Sequence, residues 1–317
     1  MSDSYPQPAG EVLRRATQAL RLAGCQTPRL DAEVLLCHVA GTTRETLLAH
    51  PELALEPGTV RAYREAVERR RRGCPVAYIT GGREFMGLEF EVGPGVLVPR
   101  PETELLVSVA VDRARALGMA PGRGLTLADV GTGSGAVAVT LCRLLPGCRV
   151  YALDTSPQAL ATAERNAARL GVGENIVFYR GDLLSALSGE PGLALDGVVA
   201  NLPYVRDDEW SFLPTEVRDY EPKESLTGGP DGLDLFRRLA LQLPAFLGSP
   251  AFVCLEAGPG QAQAVGGLLW GTGQFRDVFA ERDLAGVERV VWATRPGPGE
   301  VVPAGEGHNR HRRKLYP

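Results

Sequence analysis

The chain has 317 residues, 44% hydrophobic and 23% charged, with a formal net charge of -4. That length is more than one average domain needs, and the charge disfavours direct nucleic-acid binding, whose affinity comes from lysine and arginine displacing counterions. No run approaches the ~18 apolar residues of a membrane span, and residues 1–10 lack a basic-then-apolar leader, so a cytoplasmic protein without membrane contact is expected.

Residues 1–78 read as an N-terminal helical bundle domain. Val12, Leu13, Ala16 and Leu20 form one apolar stripe, and Leu30, Val34 and Cys37 form another. Thr27-Pro28 predicts a helix start and Gly41 a stop. A further helix carries Val60, Tyr63 and Val67 into Arg69–Arg72, a run read as a solvated C-terminus where cations favour the helix dipole. Residues 79–98 change period: Leu88, Phe90 and Val92 alternate with acids, and Gly93-Pro94-Gly95 predicts the turn of a β-hairpin linker leading into Val96-Leu97-Val98.

Residues 99–296 open on a helix carrying Leu105, Leu106, Val109 and Leu117. Apolar runs at 125–130, 150–153, 176–179, 196–200 and 252–255 then alternate with helices that start after Gly135 and at Ser156-Pro157. This predicts an α/β fold with a doubly wound, Rossmann-like, mostly parallel sheet, whose ligands sit at the carboxyl ends of the strands. Residues 297–317 are rich in glycine, proline and glutamate and then basic, and are expected to be a disordered tail. The six cysteines form no C-x-x-C pair and the four histidines have no ligand spacing, so no metal is expected.

Two motifs fall at those strand ends. The first is Asp129-Val130-Gly131-Thr132-Gly133-Ser134-Gly135, whose glycines permit a tight turn and close backbone approach to a ligand at a helix start. The spacing also satisfies a degenerate dinucleotide pattern, but Asp129 would repel a pyrophosphate, whereas it suits the cationic end of S-adenosylmethionine. Asp154 ends the next strand, where an acid can hold two ribose hydroxyls, and Asp182-Leu183 follows the third, offering an acceptor to an adenine amine and an apolar contact to its ring. Taken singly, each acid would pass for a turn or cap residue; three at successive strand ends indicate a cofactor site.

The second motif is Asn201-Leu202-Pro203-Tyr204, after the run ending at Ala200. An amide side chain, exposed carbonyls and an aromatic ring there make a receptacle for a planar NH2 group. The Asn201 oxygen and the Leu202 carbonyl can accept both N–H groups of a substrate amide, Tyr204 can pack on its plane and Pro203 can fix the turn. The bland alternative is an ordinary strand-ending turn.

In these residues the chain resembles the protein-(glutamine-N5) methyltransferases of the HemK/PrmC type. The resemblance runs from the helical module to about Arg295 and rests on Pro99-Arg100-Pro101-Glu102-Thr103-Glu104, the glycine-rich loop, the tetrapeptide, Glu221-Pro222 and Gly228-Gly229-Pro230-Asp231-Gly232-Leu233. Leu255-Glu256-Ala257-Gly258 and Asp283-Leu284-Ala285-Gly286 are later echoes. Leu202 stands where the family usually has proline, which keeps the carbonyl and loses the fixed φ. The resemblance implies a class I S-adenosylmethionine-dependent domain that methylates the Gly-Gly-Gln glutamine of class I peptide chain release factors, with the helical module recognising the factor. The alternatives are a ribosomal-protein glutamine methyltransferase, a DNA adenine-N6 methyltransferase, a non-catalytic S-adenosylmethionine-binding protein and, most weakly, a nicotinamide dehydrogenase.

Overall fold

The computed structural model describes residues 5–117, 124–297 and 312–316. In chain order the elements are β1 (Gln7–Pro8), α1 (Ala9–Leu22), α2 (Pro28–Ala40), α3 (Arg44–Ala49), β2 (Ala54–Leu55), α4 (Pro57–Arg71), α5 (Val76–Thr80), β3 (Gly82–Phe85), β4 (Leu88–Glu91) and α6 (Thr103–Ala116). Then come β5 (Thr126–Val130), α7 (Ala136–Leu144), β6 (Arg149–Asp154), α8 (Pro157–Arg169), β7 (Ile176–Arg180), β8 (Leu195–Ala200), α9 (Thr215–Arg218), α10 (Asp234–Phe246), β9 (Leu247–Glu256), α11 (Ala262–Gly271), β10 (Asp277–Arg282), β11 (Glu288–Arg295) and β12 (Arg312–Tyr316). The chain divides into two compact units, Met1–Gly82 with Leu213–Glu221, and Arg83–Phe212 with Pro222–Pro317. The division differs from the expected boundaries at 78 and 98: the hairpin from Arg83 onward groups with the sheet, and Leu213–Glu221 groups with the helices.

The first unit packs Leu20, Leu35, Leu36 and Tyr63 into its core, and the Tyr63 hydroxyl donates to the Ala32 carbonyl at 2.9 Å. Proline opens α2, and Gly41 in the left-handed region at φ 62° closes it. Contrary to expectation, Arg69–Arg72 is not a uniformly solvated face. Arg70 is buried, with Nε 2.7 Å from Asp31 Oδ2 and a second ion pair to Glu216, because a buried guanidinium must be paired. Arg71 and Arg72 are on the surface and both pair with Glu68.

Among the described residues, the second unit is built on an eight-stranded sheet in the order β12-β10-β11-β9-β8-β5-β6-β7. Strands β9, β8, β5, β6 and β7 are parallel, and β11, β10 and β12 add antiparallel pairs at one side. Alternate strand residues serve two cores, as the two-residue pleat requires. Leu127, Val199 and Phe252 pack with Leu106, Val139 and Leu141 of α6 and α7, while Ala128, Val198 and Val253 pack with Phe236, Leu239 and Val265 of α10 and α11. The chain leaves β5 toward β6 on one side and places β8 on the other, which makes the β5–β8 junction the switch point of the sheet.

Two further readings change. The hairpin is β3–β4, and its turn is Met86-Gly87, with φ 51° and 73°, rather than Gly93-Pro94-Gly95. Two consecutive left-handed residues match the strand twist in a two-residue hairpin turn. The tail is not wholly outside the core, since Arg312–Tyr316 forms the edge strand β12 against β10. Its basic residues meet acids of that strand, Arg312 Nε with Glu281 at 2.7 Å and Lys314 Nζ with Asp277 at 2.6 Å, and Tyr316 stacks on Trp270. Positions 298–311 and 317 of the expected tail lie outside the described residues.

Candidate active site

A cavity of about 380 Å³ opens at the carboxyl ends of β5, β6 and β8, where the switch point predicts it. One wall is the glycine-rich loop. Gly131 at φ 78° turns the chain, and its N–H and that of Thr132 both donate to the Leu153 carbonyl, at 2.8 and 2.9 Å. A Cβ on Gly135 would stand 3.0 Å from that of Ala163, so this glycine lets α8 approach the loop. Asp154, at the end of β6, accepts from Gly133 N through Oδ2 and from Ser156 N through Oδ1, both at 2.9 Å, and burial raises its pKa.

The three acids that look alike in sequence occupy different places. Asp154 and Asp182 line the cavity, but Asp129 does not. Asp129 is buried behind the loop, where Oδ2 accepts from Thr132 Oγ1 at 2.7 Å and from Ala138 N at 3.1 Å near the start of α7. Burial pushes its pKa up to about 7 against those two hydrogen bonds. Asp182 forms an ion pair with Arg238, and the next residue, Leu183, lines the cavity at φ 50°, a costly conformation for leucine. Gly131 and Gly133 line the cavity, whereas Thr132, Ser134 and Gly135 serve the loop's own architecture.

The opposite wall is Asn201, Leu202 and Pro203. Asn201 Nδ2 donates to Thr103 Oγ1 at 3.1 Å, and the Leu202 side chain is buried in the α10–α11 core. Tyr204 is half-buried and does not line the cavity. Its carbonyl accepts from Gln261 Nε2 at 2.9 Å, and its ring lies 2.9 Å from where a Cβ on Gly258 would be. The glycines at 228 and 232 press against the Pro203 and Tyr204 carbonyls so closely that any Cβ would collide, and just beyond the tetrapeptide Val205 N–H donates to the Leu226 carbonyl and Gly228 N–H to the Val205 carbonyl, both at 2.8 Å. The Gly228–Leu233 motif is thus a backbone clamp on the tetrapeptide. Burial, reinforced by Glu256 and Glu102, raises the Tyr204 phenol's pKa, so the ring stays neutral.

Sequence reasoning missed part of the lining. Val96 and Leu97, read as a hairpin strand, form an apolar side of the cavity, and Pro222, Ser225 and Leu235 complete it. The only sequence signal for these was their nearness to Pro99–Glu104 and Glu221-Pro222. Among the described residues, no cluster could hold a metal ion, and no helix is long and apolar enough to cross a membrane.

A mostly parallel sheet with this strand order, a glycine-rich loop after its central strand and a ligand-sized cavity at the switch point defines a class I methyltransferase. The PrmC N-terminal domain model matches residues 11–81, and a precorrin methyltransferase domain model matches residues 108–196. The chain is 42% identical to a release factor glutamine methyltransferase of Moorella thermoacetica over 91% of this chain and 98% of that one. It is 38% identical to the protein of that name from Nitratidesulfovibrio vulgaris over 90% and 94%. The solved hMettl16 catalytic domain shares the fold alone, at 16% identity and a TM-score of 0.54 over 75% of this chain and 84% of that one. The chain belongs to the release factor glutamine methyltransferase family.

Proposed function

We propose that this protein transfers a methyl group from S-adenosylmethionine to the side-chain amide nitrogen of the Gly-Gly-Gln glutamine in class I peptide chain release factors, in the cytoplasm. The observation that carries the proposal is that one cavity joins the glycine-rich loop and Asp154 to Asn201, Leu202 and Pro203. The volume, the close-approach glycines, the acid and the apolar Leu183 fit a nucleoside-bearing cofactor. Asp154 would hold the ribose, and Asp182 and Leu183 the base. When bound, S-adenosylmethionine supplies a methyl group whose bond to the sulfonium sulfur breaks with the electron pair leaving on sulfur.

The protein's own residues orient and desolvate. An amide nitrogen is a weak nucleophile because its lone pair is delocalised into the carbonyl. With Asn201 Nδ2 engaged by Thr103, Oδ1 is the end left to accept one substrate N–H, and the Leu202 carbonyl accepts the other. Both bonds strengthen as the nitrogen gains positive character, which favours the transition state over the ground state. Pro203 and Tyr204, clamped by glycines, hold the turn rigid. The proton leaves after transfer.

Three measurements test this reading. Mass spectrometry of an intact release factor incubated with enzyme and labelled cofactor should place one methyl group on the tip glutamine. The intact factor should also be a better substrate than a short Gly-Gly-Gln peptide, because remote binding energy supports the reaction. Label on DNA adenine, or on a factor whose tip glutamine has been replaced, overturns the assignment. In addition, Asp154→Ala should weaken cofactor binding by about 1.5 to 3 kcal/mol, through lost charge-assisted hydrogen bonds. Titration calorimetry showing unchanged affinity would place the ribose elsewhere.

A further inference from the structure

After Phe212 the chain leaves the second unit, groups with the helices of the first over Leu213–Glu221, and rejoins the second unit at Pro222. The residues that follow at once, Pro222, Glu224 and Ser225, line the cavity. Leu213–Glu221 is thus a strap that leads directly into a piece of the cavity wall. The helix within it, α9, has four residues and no side-chain cap, too short to hold its shape unaided. The order of the strap must come from what it packs against.

Three contacts within the first unit supply that order. Arg70 has its side chain only 6% exposed; Asp31 of α2 meets its Nε, while Nη1 is met by the Glu216 carboxylate of the strap and by the Cys74 carbonyl at 3.3 Å. A guanidinium removed from water needs such partners, so the helices hold a ready receptor for one strap carboxylate. Gly73, just past α4 at φ 92°, admits Thr215 so closely that a Cβ there would stand 2.8 Å from its Cγ2. The Tyr220 hydroxyl donates to the Arg72 carbonyl at 2.9 Å.

From Tyr220 to the cavity-lining Pro222 is two Cα steps, at most about 7 Å of chain. On the far side of the wall, the Leu226 carbonyl accepts from Val205 N–H, next to the tetrapeptide. The Pro222–Ser225 wall therefore lies in the chain between two held points, Tyr220 and Leu226. We infer that Arg70 is a positioning residue for cofactor binding: by holding Glu216 it orders the strap, and the strap sets the Pro222–Ser225 wall, a role that rests on the reading of that cavity as the S-adenosylmethionine site. Coupling of this kind runs in both directions. A strap whose order favours the cofactor must, by linkage, be ordered further by the cofactor, and by the same factor.

The test uses the full chain with S-adenosylmethionine as the probe. Substituting Arg70 would also break its buried pair with Asp31, so the strap is released from its own side with Glu216→Gln and Tyr220→Phe together. The N–H groups of Val217, Arg218, Asp219 and Glu221 bond back along the strap, and their hydrogen exchange should quicken about 10-fold in the double variant. The calorimetric Kd for the cofactor should rise about 10-fold, whereas Glu216→Asp, which keeps the carboxylate, should bind nearly as wild type. In the wild type, saturating cofactor should slow exchange at the same four amides about 10-fold, a change that a purely structural strap would not show. A Kd within about 2-fold of wild type in a strap that exchanges faster overturns the inference. So does a strap whose exchange is unaltered in the double variant or unmoved by cofactor in the wild type. A wild-type protein that binds no S-adenosylmethionine instead overturns the reading of the cavity, and that failure is visible before any variant is compared.

Discussion

Asn201→Ala is expected to lower kcat for methyl transfer by about 10³-fold while changing cofactor affinity by less than about 3-fold. The asymmetry follows from where the interactions lie. Asp154, bonded to Gly133 N and Ser156 N, and the turn at Gly131 form the wall proposed for the cofactor, and they are held without help from the Asn201 side chain. In the proposed function Asn201 instead offers the acceptor that orients the nucleophile, and misorientation is punished in the chemical step, because the nitrogen must lie in line with the methyl group before it can react. The Leu202 carbonyl survives the substitution and can hold one N–H, but a single bond leaves the amide free to rotate. The Thr103 hydroxyl also loses its partner, a local cost inside a folded loop that the glycine clamp still holds. Single-turnover rates paired with calorimetric cofactor titration separate the two quantities. Turnover within tenfold of wild type would remove Asn201 from the mechanism.

What could be read from the sequence was what is local in the chain. The strands at 126–130, 149–154 and 195–200 announce themselves as short apolar runs, and the loop at Gly131 to Gly135 as glycines at a helix start, so the parallel sheet and its cavity follow from pattern alone. The hairpin turn was obscured because Met86 carries no turn signal, while the nearby Gly93-Pro94-Gly95 carries a loud one. Asp129 and Asp154 both end strands, and nothing nearby in sequence tells them apart. The difference is made by the Thr132 hydroxyl and Ala138 N–H, which draw Asp129 inward. Arg70 looked like one of four surface cations because its partners, Asp31 and Glu216, lie on other elements. The Thr103–Asn201 contact spans 98 positions, so no spacing rule exposes it even though each residue lies in a motif that the sequence singles out.

Glu256→Gln should make the protein progressively more stable than wild type as pH rises from about 4.5 to 8, the difference growing by about 3 kcal/mol over that interval. Burial raises the Glu256 pKa from the ordinary 4.5 to about 7, so between those values the folded state binds a proton that the unfolded state has released. Stability that is complete below about 4.5 is then lost as pH climbs, and above about 7 the folded protein carries a buried anion that the unfolded chain would hold in water. A glutamine does not titrate, so the variant escapes this loss. Asp129, also pushed up to about 7 by burial, depresses stability with the same sign, but it does so equally in both proteins and cancels in the comparison. Denaturant unfolding at several pH values measures the difference directly, and a gap that stays flat across the interval would mean that Glu256 titrates near its ordinary value.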